Sequence, residues 1–425
     1  MFKEFMIKDI SKMMHGKTGD GSLELIRGVS INSKEIKPGD LFFALKGEHT
    51  DGHLFVKEAL SNGASAVVVE KSQKVGDEIL VSDTLFALGE LARKYRSLFH
   101  PTTIAITGTN GKTTTKNLIS AIFKKKYNTL ATKKNYNSLI GLPLTIFELS
   151  GDEDYLIVEI GTSNPGEIKR LCEIAQPDSG VVTNIGPGHL ESFGSINGVK
   201  EEKLSLVKAL PEGGFALLGE GLEDVKGKNI FNFSLEMADD ISLTEKGSYF
   251  TYKNKEFFTN LLGLGNVYNC LCAVCLTSHF NIEYDFQRAA LAEIKPESGR
   301  MEPIHCNDLL IINDTYNANP VSMKSAIDFT SVVERRRIFI LGDMLELGRD
   351  SRLLHKNIGV YARKHCELLL TFGEQARHYK GVHFTDKRKL VRYLVDNLEG
   401  DELILVKASR GLHFEDIVFE LLREL

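Results

Sequence analysis

The segment Ile106-Thr107-Gly108-Thr109-Asn110-Gly111-Lys112-Thr113-Thr114-Thr115 organises everything around it. Thr103-Ile104-Ala105-Ile106 leads into it as a buried strand. Leu118, Ile119, Ile122 and Phe123 follow at helical spacing, which predicts a helix from Thr114 to about Lys124. Between strand and helix, the glycines let the backbone curl so that consecutive N–H groups face one point at a helix N-terminus, where a phosphate is held. Lys112 can reach the β and γ phosphates of a nucleotide, and the Thr113 hydroxyl can ligate Mg²⁺. The strict phosphate-loop pattern wants a glycine five residues before Gly111, and this chain has Ile106 there. The plainer reading is a tight strand-to-helix turn with an exposed lysine. The strand before and the helix after favour nucleotide binding.

Further buried strands, Tyr155-Leu156-Ile157-Val158 and Gly180-Val181-Val182-Thr183, alternate with helical stretches, which predicts a parallel sheet covered by helices. Ligands bind such sheets beyond the carboxyl ends of the strands. Glu159 and His189 stand at two of those ends, and a carboxylate with an imidazole can hold metal between phosphate and substrate. Singly, each has a bland alternative: a surface glutamate, or a histidine bonded within its loop. Residues 1–100 hold short apolar runs, Leu41 to Leu45 and Ala66 to Val69, with turn signals at Pro38-Gly39-Asp40 and from Gly47 to Gly52, and a helix from Phe55 to Ser61. From about residue 299, the runs Leu309 to Ile312, Arg337 to Leu341, Leu368 to Thr371 and Leu403 to Val406 predict a smaller doubly wound unit. The expected fold is α/β in three domains. These are a small mixed α/β domain (1–100), a central phosphate-loop ATPase domain with a parallel sheet (101–298), and a C-terminal Rossmann-like doubly wound domain (299–425).

Composition narrows the function class. The chain has 425 residues, 42% hydrophobic and 26% charged, with 52 basic against 57 acidic side chains and a net charge of −5. Ordinary apolar content with interspersed charges excludes a disordered chain. No apolar run approaches the roughly 18–20 residues that cross a bilayer, and Met1 to Met6 has an early acid and no apolar leader core. A cytoplasmic protein is expected, with no membrane or nucleic-acid partner. Cys270, Cys272 and Cys275 read as small apolar residues of a buried helix, since no second pair at zinc spacing follows. The basic runs Lys124 to Lys126 and Arg335 to Arg337 read as solvated ends of elements.

The phosphate loop Thr107 to Thr114 resembles that of the Mur ligases, ATP-dependent amide-forming enzymes of peptidoglycan precursor synthesis. So do Asn32-Ser33-Lys34, Lys37 to Gly47 and Asp51 to Phe55, although the family usually has Asp where this chain has Asn32. Asn135 to Thr145, Glu159-Ile160-Gly161, Gly186 to Ser195, Asn313 to Pro320 and Leu341 to Gly348 look like the family member that adds D-alanyl-D-alanine. Ser138 stands where that member often has a second Asn. The resemblance implies that residues 1–100 bind the UDP-muramoyl substrate, with Ser33, Lys46 and Gly47 contributing, and that Asn135, Asn137 and Ser138 lie near substrate and metal. ATP would be held by Gly108, Thr109, Asn110, Gly111, Lys112, Thr113 and Thr114, with Asn269 on the adenine and Asp314 on the ribose. Two Mg²⁺ sites are implied, using Thr113, Glu159, His189 and Lys203. The last matches a lysine that the family carbamylates with CO₂, while from the residues alone Lys203 reads as a solvated helix lysine. Arg300 matches an arginine reaching the γ-phosphate, where a bidentate guanidinium suits developing phosphoryl charge. Asn317, Asn319, Lys407, Ser409 and Arg410 would lie near the incoming dipeptide. The family's Gly-x-His-Asn appears here as Gly263-Leu264-Gly265-Asn266, so any role of that His is absent.

The implied reaction joins D-alanyl-D-alanine to UDP-N-acetylmuramoyl-tripeptide through an acyl phosphate, in a monomer whose third domain closes on nucleotide. The alternatives are the sibling ligase adding the third amino acid, a folylpolyglutamate synthase-like relative, and a nucleotide switch that hydrolyses ATP without joining anything. The N-terminal unit argues against the folate-type relative. The absence of Gly-x-Gly-x-x-Gly at the phosphate loop argues against a dinucleotide oxidoreductase.

Overall fold

The computed structural model describes residues 2–19, 24–47 and 50–425. Glu48 and His49, within the turn expected from Gly47 to Gly52, and Met1 lie outside the described residues. The chain forms two compact units. One comprises Met1–Thr107, Tyr127–Val181 and Ser205–Ala216; the other comprises Gly108–Lys126, Val182–Leu204 and Leu217–Leu425.

In the first unit, a five-stranded sheet runs in the order Lys17–Thr18, Glu78–Leu80, Ala66–Val69, Asp40–Phe43, Gly28–Ser30. Its pairings are parallel except that of the edge strand Lys17–Thr18. Asp40–Phe43 and Ala66–Val69 are buried along their whole length. Both faces of such strands are covered, so they read as unbroken apolar runs rather than as alternation. The strand that leads into the phosphate loop stands in the order Thr102–Thr107, Tyr155–Glu159, Thr129–Ala131 within this unit. Thr102–Thr107 and Thr129–Ala131 both pair in parallel with Tyr155–Glu159, and the register sets Glu159 opposite Ile106. Glu159 therefore ends its strand level with the last residues before the loop.

In the second unit, a six-stranded sheet has the order Glu302–Cys306, Leu309–Asp314, Glu402–Lys407, Arg336–Gly342, Leu368–Phe372, Val382–Phe384. Only Glu302–Cys306 pairs antiparallel. Successive residues of each central strand feed two different cores. Leu310, Ile312, Phe339, Leu341, Leu403 and Leu405 pack into one, while Ile311, Ile338, Ile340, Ile404 and Val406 pack into the other. Helices cover both faces, as the doubly wound reading requires.

Three features depart from the sequence reading. The helix after the loop starts at Lys112 rather than Thr114, because Gly111 caps it at φ +80°. A three-stranded antiparallel sheet, Asp239–Thr244, Gly247–Tyr252 and Lys255–Thr259, is absent from the predicted elements. Its two outer strands are partly exposed and carry charges, and the middle one mixes glycine, serine and threonine with its aromatics, so none gives an apolar run. The basic runs are ion-paired rather than simply solvated: Lys125 with Glu293, Lys126 with Glu283, and Arg335, Arg336 and Arg337 with Asp401, Glu402 and Glu367. The buried-helix reading of the cysteines matches the helix Leu264–His279, where Cys270 and Cys272 are fully buried. Among the described residues, no helix is long and apolar enough to cross a membrane.

One buried histidine fixes the turn that follows Arg336–Gly342. His355 accepts a hydrogen bond at Nε2 from the Met344 amide (2.9 Å), and its Nδ1 donates to the Ser351 carbonyl (2.7 Å). That pairing requires the neutral ring. Burial pushes the His355 pKa below its ordinary value, and the Ser351 carbonyl pulls it partly back. The unfolded chain then binds more protons than the folded one as pH falls below about 6.5. Stability from this group is complete above that pH and declines as pH falls toward the folded-state value. His355→Gln should flatten the loss of thermal stability between pH 6.5 and 5. Parallel melting curves for the two proteins across that range would contradict this.

Candidate functional site

The phosphate loop lies in the second unit, and polar groups of the neighbouring strand end hold its shape. Thr183 Oγ1 donates to the Asn110 carbonyl (2.6 Å), and Asn184 Nδ2 donates to the same oxygen (3.2 Å). Asn184 Oδ1 in turn accepts from the Asn110 amide (2.9 Å), and the Asn184 carbonyl accepts from the Thr109 amide (3.0 Å). This clasp draws the loop so close that a Cβ on Gly108 would stand 1.9 Å from Thr183 Oγ1. Gly111 is equally confined: at φ +80°, its Cβ would meet Asn269 Oδ1 at 2.2 Å. Both positions need glycine for space and for backbone conformation. The helix Lys112–Lys124 begins without a side-chain cap, which leaves its first amides to an anion. Lys112 Nζ donates to the Gly108 and Thr109 carbonyls (2.9 and 3.2 Å), so the ammonium curls over the cradle.

Residues distant in sequence converge on this loop. Arg300 Nη2 donates to Thr113 Oγ1 (3.0 Å), and Arg300 Nε lies 3.2 Å from Glu297. Asn319 caps the helix Pro320–Thr330 through Oδ1, while its Nδ2 donates to Asn110 Oδ1 (2.6 Å). Asn269 accepts from Thr115 Oγ1 (3.3 Å) and donates to Asn266 Oδ1 (3.1 Å), so it backs the loop's glycine. His189, left-handed at φ 53°, sets Nδ1 2.7 Å from the Glu346 carboxylate; Glu346 is itself left-handed at φ 63°. The His189 hydrogen bond, against the opposing effect of partial burial, holds the Glu346 carboxyl below its usual range. Nε2 is the ring nitrogen turned away from that pair.

Asp314 and Lys407 end adjacent parallel strands in register. Lys407, only 2% exposed, donates to Asp314 Oδ2 (2.6 Å) and to the Asn317 carbonyl (2.8 Å). Asp314 Oδ1 accepts from the Met301 amide (3.1 Å), which ties it to the turn carrying Arg300. Ser409 Oγ accepts from the Leu345 amide (2.9 Å) and donates to the Ala318 carbonyl (3.3 Å). Arg410 and Asn317 are exposed, and Thr114 is half-buried. Lys203 is 3% exposed, which corrects its reading as a solvated lysine. It stands four residues after the buried Val199 and three before the buried Leu206 on one helix. That spacing was the signal available in the sequence.

The first unit holds its own part of the predicted set. Glu159 is 1% exposed and accepts from Asn137 Nδ2 (2.8 Å), and its amide donates to Thr132 Oγ1 (2.9 Å). Asn137 lies against Gly161, whose Cβ would stand 2.9 Å from the amide carbon. Asn135 and Ser138 are exposed neighbours on the same turn. Buried Ser33 donates to Glu58 (2.5 Å). Exposed Lys46 pairs with Glu70, and the Gly47 amide donates to the Thr50 carbonyl (2.9 Å). Glu159 offers a buried carboxylate in the first unit and Thr113 a hydroxyl in the second, each a hard oxygen donor of the kind that fits Mg²⁺. Thr183, Asn184, Tyr316 and Glu346 escape the sequence reading, because their roles depend on contacts with no local spacing.

A strand-to-helix glycine cradle served by an arginine from a separate α/β segment is the equipment of enzymes that transfer the terminal phosphoryl group of a nucleotide. Comparison with known families narrows that class. The Mur ligase family catalytic domain matches residues 25–96, the Mur ligase middle domain residues 106–277, and the Mur ligase glutamate ligase domain residues 299–410. The chain belongs to the Mur ligase family of ATP-dependent ligases. It is 35% identical to UDP-N-acetylmuramoyl-tripeptide–D-alanyl-D-alanine ligase of Bacillus subtilis, covering 98% of each chain. Among solved structures, MurF of Acinetobacter baumannii superposes with a TM-score of 0.94 at 26% identity, covering 99% of each chain. MurF ligase of Thermotoga maritima in complex with ADP superposes at 0.86 with 29% identity, covering 94% of this chain and 97% of that one.

The confinement of Gly111 is directly testable. Gly111→Ala should weaken ADP binding at least about tenfold, since it adds a clash to backbone strain of about 1–3 kcal/mol. Gly213→Ala, at φ +88° with nothing within 4 Å, carries comparable strain away from the loop and should leave ADP affinity unchanged. Equal ADP affinities for the two variants in calorimetry would contradict the cradle.

Proposed function

We propose that this chain joins D-alanyl-D-alanine to the C-terminal carboxylate of UDP-N-acetylmuramoyl-tripeptide at the expense of ATP, giving the pentapeptide, ADP and phosphate. The observation that carries this reading is Arg300 on Thr113 beside the glycine cradle, in a chain whose full length matches ligases of that name. The substrate carboxylate takes the γ-phosphoryl group as an acyl phosphate. The dipeptide amine then attacks the carbonyl carbon, and phosphate leaves the tetrahedral intermediate. Such chemistry is mostly positioning and charge neutralisation. Amides at the start of the helix Lys112–Lys124 and the Lys112 ammonium hold the phosphates, and Arg300 meets the charge that develops on the transferring group.

Mg²⁺ would be held by Thr113, Glu159 and His189, and when bound it neutralises phosphate charge. Glu346, by fixing Nδ1 of His189, leaves Nε2 to serve. Two such ions, and a CO₂-derived carbamate on Lys203 that turns a buried cation into an anion, belong to the same proposal. Asn269 would serve the adenine from behind the loop. Asp314 would share its carboxylate between a ribose hydroxyl and its bonds to Lys407 and Met301. Asn317, Asn319, Ser409 and Arg410 lie on the turns that would receive the dipeptide. Residues 1–100 would hold the UDP-muramoyl part, 101–298 the nucleotide, and 299–425 the dipeptide. The enzyme would work in the cytoplasm as a monomer.

A coupled ADP assay tests the reading. ADP should form only when the muramoyl-tripeptide and D-alanyl-D-alanine are both present, and single amino acids should not replace the dipeptide. ADP formed from ATP alone would instead mark a nucleotide switch. Bicarbonate should raise the rate in CO₂-depleted buffer, and Lys203→Ala should abolish that response. Arg300→Ala should lower kcat by about 10²–10³-fold while ADP affinity stays within about twofold. Equal losses in both would remove Arg300 from phosphoryl transfer.

A further inference from the structure

Tyr316 receives no role in the ligase reading, yet two arginines meet on its ring. Arg300 Cζ lies 3.7 Å from the ring centroid and Arg410 Cζ lies 5.2 Å from it. They come from opposite ends of the third segment. Arg300 belongs to the turn before the strand Glu302–Cys306, and Arg410 opens the short turn after the strand Glu402–Lys407. Two guanidiniums near one another repel and, on long flexible stems, would otherwise separate into solvent. An aromatic face counters both tendencies. Its quadrupole attracts each cation, and stacking restricts each guanidinium plane without engaging its N–H edges, of which Arg300 Nε already faces Glu297 and Nη2 donates to Thr113.

The residue that carries the ring is tied down through its backbone. The Tyr316 amide donates to the Gly299 carbonyl (2.9 Å), the residue before Arg300. Gly299 is left-handed at φ +74°, and a Cβ there would lie 3.3 Å from the Tyr316 amide nitrogen. One backbone hydrogen bond therefore joins the turn that carries Arg300 to the segment that carries the ring, and Arg300 has Nη2 already on Thr113 Oγ1.

We propose that Tyr316 is a positioning residue whose ring holds Arg300 toward the phosphate loop and Arg410 beside it, so that two guanidiniums form one preorganised site for oxyanions. The proposal rests on the ligase reading for what those anions are: the phosphoryl group in transfer and the carboxylate of the incoming acceptor. The ring, not the hydroxyl, is what the site needs. Its loss releases both arginines together, so phosphoryl transfer slows and acceptor binding weakens in the same variant.

Steady-state kinetics of Tyr316→Phe, Tyr316→Trp, Tyr316→Leu and Tyr316→Met, with ADP affinity measured in parallel, test this. The Phe and Trp variants should keep kcat and the KM for D-alanyl-D-alanine within about threefold of wild type. The Leu and Met variants should lose at least about tenfold in kcat and raise that KM several-fold, while ADP affinity stays within about twofold. Retained ADP binding separates lost positioning from misfolding, and Met serves should Leu fail to fold. Wild-type kinetics in a folded Leu or Met variant would overturn the proposal. So would a Phe variant as impaired as Leu, because the hydroxyl would then be the operative group. Were wild type to form no ADP in response to tripeptide and dipeptide, the ligase reading would fail, whatever the Tyr316 variants did.

Discussion

A single carbonyl, that of Asn110, takes hydrogen bonds from Thr183 and Asn184, and the geometry of the second unit's site follows from that clasp. It pulls the loop against the neighbouring strand end until Gly108 has no room for a side chain, while Asn269 behind the loop leaves none at Gly111. The same closeness aims the first amides of the helix Lys112–Lys124 into the cradle and folds Lys112 over it. Partly buried hydrogen bonds of this kind contribute about 1 kcal/mol each, and leaving a buried donor or acceptor unmade costs more. The clasp therefore acts as a constraint on shape more than as a reserve of stability.

Onto that fixed loop, the second unit brings side chains from far along the chain. Arg300 on Thr113, Asn319 on Asn110 and Glu346 on His189 join the loop and the strand end beside it to the C-terminal α/β segment. Each contact has its own support. Asn319 is a helix cap, Glu346 follows a turn pinned by buried His355, and Arg300 lies on the Tyr316 ring. An arginine that must meet developing charge works best when its orientation costs nothing at the moment of reaction. The Lys407–Asp314 pair serves the same end. It is buried and hydrogen-bonded, and through the Met301 amide it fixes the turn from which Arg300 departs.

Much of the architecture is legible in the amino-acid sequence, because strands covered on both faces have no choice but to be continuously apolar. Leu309–Asp314, Arg336–Gly342 and Glu402–Lys407 were readable for that reason. The outer antiparallel strands Asp239–Thr244 and Lys255–Thr259 were not, since their exposed faces admit charges and break the run. The loop was legible because glycine, lysine and threonine at fixed spacing have few other uses. Lys203 was misread because a lysine is solvated by default, though its spacing from Val199 and Leu206 set it on the buried face. Tyr316 and Glu346 had no local signal at all: one matters through two arginines 110 positions apart, the other through a histidine far upstream.

The central claim is that the loop and Arg300 deliver phosphate to a carboxylate rather than to water, and an oxygen-transfer measurement tests it most directly. Tripeptide labelled with ¹⁸O in its C-terminal carboxylate would be turned over with ATP and D-alanyl-D-alanine, and the released phosphate analysed by mass. The account predicts one labelled oxygen in each phosphate released, because the acyl phosphate carries a carboxylate oxygen away with the leaving group. Phosphate free of label, in a reaction that still forms ADP, would contradict it.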